Sequence, residues 1–132
     1  YPVASIGKEV GPIDYTVFMA TDKYIEENPQ IVQAWTDAIY KAQKWVQTAD
    51  PMEAAKAAAP YFPKVELADI ATAVERYRGV GIWKTDPTTS KKAIEDLQTV
   101  LIEGGVLKEE DRVSYESIVT TKFSEAAKKA MN

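Results

Sequence analysis

The acidic groups Glu26-Glu27 and Glu109-Glu110-Asp111 are the first places in the sequence where acid–base or metal chemistry could reside. Side chains that are neighbours in sequence splay apart rather than converge on one proton or one ion, so both groups read as solvated surface. The chain of 132 residues has no histidine and no cysteine. Their absence removes the usual general base at neutral pH, the commonest transition-metal ligand and any thiolate nucleophile. Serine and cysteine triads, H-E-x-x-H sites and zinc–sulfur sites are therefore excluded within these residues. Gly79-Val80-Gly81 resembles a phosphate-binding loop only superficially, because the later glycine and a preceding strand are both missing. No catalytic residue, metal site or cofactor is assigned.

Composition narrows the partners. Sixteen basic against twenty acidic residues leave a net charge of −4, which gives no attraction for a polyphosphate, and the pairs Lys91-Lys92 and Lys128-Lys129 are too small to reverse it. Nucleic acid is not an expected partner. No run of eighteen apolar residues exists, so no membrane span is expected, and the first residues do not resemble a signal peptide. The length suits one domain with a real core. The chain starts at Tyr1 rather than Met, which suits a processed protein or a fragment.

The elements that would position any site are mostly helical. Val3-Ala4-Ser5-Ile6 and Tyr15-Thr16-Val17-Phe18-Met19-Ala20 read as two strands, separated by the Gly11-Pro12 turn. The second is apolar nearly throughout, which suits a strand covered on both faces, and two strands alone make a marginal sheet. About five helices follow. Thr21 caps a short one, Asp22 to Glu27, and Asn28-Pro29 then opens a long one through Thr48. Its residues Ile31, Trp35, Ala38, Ile39, Ala42 and Val46 recur at steps of three and four, predicting one inward apolar stripe with Trp45 on the flank. Asp50-Pro51-Met52-Glu53 repeats the start signal before an alanine-rich helix that Pro60 and Pro63 break. A helix from Val65 to Arg78, with Gly79 as its cap, should bury Leu67, Ile70, Ala71, Val74 and Tyr77. Ser90 caps a helix from Lys91 to Glu103 with Ile94, Leu97, Val100 and Leu101 inward, ended by Gly104-Gly105. A last helix runs from Ser124 to Met131.

The series Gly11-Pro12-Ile13-Asp14-Tyr15-Thr16-Val17-Phe18-Met19-Ala20-Thr21, followed by Tyr24-Ile25-Glu26-Glu27-Asn28-Pro29, resembles a stretch of the solute-binding proteins of bacterial transporters for nitrate, sulfonate, taurine and thiamine precursors. Tyr77-Arg78-Gly79-Val80-Gly81-Ile82-Trp83-Lys84-Thr85-Asp86-Pro87 and the closing Tyr115 to Ala127 resemble that family's C-terminal region. The resemblance implies an α/β, mostly helical fragment of one lobe of a type II periplasmic-binding-protein fold. Residues 1–132 would form one C-terminal fragment, in which 1–21 supply a crossing strand and a lobe strand and 22–132 the helical part. Such proteins hold a small solute between two lobes and hand it to the membrane permease of an ABC importer.

Under that resemblance the Gly11 to Thr16 turn lies nearest the lobe junction. Gly11 would let the backbone approach a ligand, Tyr15 would offer a hydroxyl and a stacking face, and Thr16 a second hydroxyl. Trp83 is the next candidate, although packing is its ordinary reading. The implied partners are a solute, a permease and, through open strand edges, a second copy of the chain. The implied setting is extracytoplasmic, in the periplasm or as a cell-surface lipoprotein, and the implied role is binding without bond-making. The competing readings are a fragment of a thiamine-pyrimidine-synthase-like enzyme, whose histidine and metal would lie outside this chain, and a free-standing helical interaction module.

Overall fold

The computed structural model describes residue 11, residues 13 and 14, and residues 16–131. All regular elements among these are helical. They are α1 (Asp22–Glu27), α2 (Pro29–Thr48), α3 (Pro51–Ala58) with a 3₁₀ turn (Ala59–Tyr61), and α4 (Leu67–Gly79). Beyond these come α5 (Lys91–Glu103), a 3₁₀ turn (Glu109–Asp111), α6 (Tyr115–Ile118) and α7 (Lys122–Met131). Two compact units share the chain. One holds the residues up to Gln33 together with those from Thr88 onward, and the other holds Ala34–Pro87.

The expected α/β character is corrected by this structure: no strand occurs among the described residues. Val3-Ala4-Ser5-Ile6 lies outside them. Residues 16–20 are non-helical and belong to no strand, with Phe18 69% and Met19 89% exposed. β-Branched and aromatic content makes a segment suited to a ladder, but a ladder exists only when a neighbour supplies the other half of its hydrogen bonds. Here no neighbouring strand does so among the described residues.

The helix starts follow the cap chemistry. Thr21 Oγ1 accepts from the Tyr24 amide at 3.2 Å, Asp50 Oδ1 from the Met52 and Glu53 amides at 2.9 and 3.2 Å, and Ser90 Oγ from the Ala93 amide at 3.2 Å. Each satisfies first-turn donors that have no partner inside the helix. Asn28 behaves differently from expectation. Its Nδ2 donates back to the Tyr24 carbonyl at 3.2 Å, while its own carbonyl accepts from the Ile31 and Val32 amides. The side chain thus closes α1 rather than opening α2. At the end of α4 the left-handed residue is Gly81 (φ +68°) and not Gly79, and the Ile82 amide donates to the Tyr77 carbonyl at 3.0 Å, as in a Schellman closure.

In the second unit, α3 packs on α4. The small side chains allow close approach: Ala54 and Ala55 are buried in this unit's core, as are Ile70 and Val74. The C-terminal end of α2 is held by Arg78 of α4. Its Nε and Nη2 donate to the Val46 carbonyl at 3.1 and 2.7 Å, and Nη2 also donates to the Ala49 carbonyl at 2.8 Å. A guanidinium fork suits this end of a helix, where carbonyls lack partners and the dipole is negative. Gln47 Nε2 adds a bond to the Trp83 carbonyl at 3.0 Å.

These anchors fix which side of α2 is turned inward, and it is not the expected one. Tyr40 is the buried residue of the helix, and Gln43, Val46 and Gln47 are half-buried. Of the expected stripe, only Ile39 and Val46 are half-buried, whereas Ile31, Trp35, Ala38 and Ala42 are exposed. The inward turn is also visible in Gln43, whose Oε1 is buried without a hydrogen-bond donor among the described residues.

Two substitutions test this packing by chemical denaturation. Arg78→Ala removes three partly buried, charge-assisted bonds and should destabilise the chain by about 2–3 kcal/mol. Gln43→Met removes a buried acceptor that gains nothing in the fold, and should leave stability unchanged or raise it by about 1 kcal/mol.

Candidate functional site

The first unit carries a shallow cavity of about 260 Å³ between the first turns of α5 and the segment leading into α6. Its floor is built by Gln98, which is buried on α5. Gln98 Nε2 donates to the Val113 carbonyl at 3.1 Å, and its Oε1 accepts from the Val113 amide at 2.8 Å. A side-chain amide thus pairs with a backbone residue as a strand neighbour would, which is why a polar residue stands where a hydrophobic period predicts apolar ones. Val100, expected inward, is exposed.

Tyr115 forms one wall. Its hydroxyl donates to the Thr89 carbonyl at 2.6 Å. Burial pushes the phenol pKa up, and the carboxylates of Glu116, Asp14 and Glu125 add to the rise by opposing a phenolate. Asp14 reaches the same neighbourhood, its Oδ2 accepting from the Ser90 amide at 3.2 Å just ahead of α5. The rim cations carry their own carboxylates. Lys91 Nζ lies 2.9 Å from Glu116 Oε1, and Arg112 Nε lies 2.9 Å from Glu109 Oε1. The bond to Glu116 raises the Lys91 pKa and the same bond lowers that of Glu116. A rim whose charges already cancel in pairs offers an incoming anion no net attraction. No group of acidic residues among the described ones could hold a metal ion.

Of the residues singled out for ligand contact, Tyr15 lies outside the described residues. Gly11 is half-buried with φ +82°, and a Cβ there would meet nothing within 4 Å. Glycine is thus required by backbone conformation rather than by crowding. Thr16 is exposed. Trp83 belongs to the second unit, where its ring stands edge-on to Tyr77 with centroids 5.7 Å apart and an interplanar angle of 82°. That geometry is ordinary aromatic packing. The residues that build the cavity, Gln98 and Tyr115 above all, were missed by sequence reasoning. Gln98 offered one signal, as a polar residue beside Leu97 and Leu101 on an otherwise amphipathic helix.

No protein-family model matches the chain, and no solved structure does. The chain is similar to a protein of Bacillus subtilis (strain 168) named "Putative binding protein YtlA", with 33% identity over 123 residues. The match takes in 93% of this chain but 36% of that protein, so the chain spans about a third of the relative's length.

The pairing at the rim gives a signed pH dependence. Glu116 sits below its ordinary value of 4.5, so its contribution to stability is present above that value and lost as pH falls through the lowered one. Lys91 sits above 10.5, so its contribution is complete below that value and lost as pH rises through the raised one. An NMR titration of the Glu116 carboxyl should show its midpoint moving up in Lys91→Gln. An unchanged midpoint would mean that the pair does not form in solution.

Proposed function

We propose that the chain is part of the substrate-binding component of an ABC importer for a small solute such as nitrate, a sulfonate, taurine or a thiamine precursor. The observation that carries this reading is the likeness, over nearly the whole chain, to a protein named for binding. The ordered motifs from Gly11 to Pro29 and from Tyr77 to Pro87 support the finer assignment. In this reading the protein works outside the cytoplasm and delivers its solute to a membrane permease. Gly11, Tyr15 and Thr16 contribute to the solute site, and the rest of the site comes from the remainder of a longer protein. Binding then depends on contacts from both portions at once, which shifts an existing equilibrium toward the bound form.

Calorimetry against that panel of solutes tests the proposal. The longer protein should take up one of them at one to one, and the isolated chain should bind it at least ~100-fold more weakly, having only part of the contacts. Tight stoichiometric binding by the isolated chain, or no binding of any of them by the longer protein, would overturn it.

A further inference from the structure

Within the second unit, α2 presents Trp35, Ala38, Ala42 and Trp45 at successive steps of three, four and three, a spacing that puts them on one side of the helix. Ala38 and Ala42 are exposed, and Trp35 and Trp45 keep 53% and 45% of their surface exposed. The helix is not free to roll and bury this side. Tyr40 is sunk in the unit, Arg78 holds the Val46 and Ala49 carbonyls, and Gln47 is bonded to the Trp83 carbonyl. Two large aromatics flanking two alanines form a shallow trough with bulky ends, and tryptophan is the residue type most enriched at the energetic centres of interfaces. The similar Bacillus protein has nearly two thirds of its length without counterpart here.

We infer that the Trp35–Ala38–Ala42–Trp45 side of α2 is an internal docking surface for the remainder of a longer protein of which this chain is a part. This deepens the reading above and rests on it only in taking the chain as part of such a protein. The occupant is a segment of the same polypeptide rather than a second copy, because the matched relative supplies the missing length in one chain. The alanines let its backbone approach closely, and the tryptophan rings fill its apolar depressions with their indole N–H groups left at the rim.

Acrylamide quenching of Trp35 and Trp45 in a Trp83→Phe background reads the surface directly. In the protein expressed from the complete reading frame, the quenching constant should fall by roughly threefold or more relative to the isolated chain, as the core of an interface excludes solvent. Ala42→Glu should leave the helical circular dichroism of the isolated chain unchanged and restore quenching in the longer protein. Several results would overturn the inference. They are equal quenching in both forms, unfolding of the isolated chain by Ala42→Glu, a doubled mass with protected tryptophans for the isolated chain, or a reading frame that adds no further segment. Solute binding is not read in this experiment. A longer protein that protects the tryptophans but binds none of the solutes would sink the transport reading and leave this surface standing.

Discussion

The hold of Arg78 on the carbonyls of Val46 and Ala49 is the constraint on which the second unit depends. A helix end leaves carbonyls that must find donors, and at the end of α2 one guanidinium supplies three bonds to two of them. Since Arg78 is itself in the last turn of α4, the bond couples the rotation of α2 to the packing of α3 on α4. A lysine could supply charge at that position but not a planar fork reaching two carbonyls together. Once that angle is set, Tyr40 is turned inward and the tryptophan side outward.

Helix existence was legible in residue types because capping is local chemistry. Thr21, Asp50 and Ser90 each satisfy amides two or three residues ahead, and no tertiary information is needed to recognise them. The close contact expected of the alanine-rich helix also appears, with Ala55 fully buried. What periodicity could not provide was the direction of burial. The stripe through Trp35, Ala38 and Ala42 is present as predicted in spacing, yet it faces water, because a repeat fixes which residues share a side and not what lies opposite it.

The expected strand over residues 15–20 is absent from its described part, residues 16–20, for a related reason. Propensity describes one segment, whereas a strand is defined by a pair, and no second strand lies beside Phe18 and Met19 among the described residues. The candidate site was less legible still. Gly11, expected to let a ligand approach the backbone, has a left-handed φ of +82°, and the first unit's cavity is organised by Gln98 and Tyr115, whose partners lie 15 and 26 residues away. Such pairings come from tertiary placement, and the polar break at Gln98 beside Leu97 and Leu101 marks an exception without naming its partner.

The central claim is that the isolated chain buries the Tyr40–Gln43 side of α2 and exposes the Ala38–Ala42 side. A chain without cysteine is suited to testing it, because a single introduced thiol reports only on its own position. Alkylation rates of Ala38→Cys, Ala42→Cys, Gln43→Cys and Gln47→Cys should divide into a fast pair at 38 and 42 and a slow pair at 43 and 47. The reverse order, or four equal rates, would contradict the account.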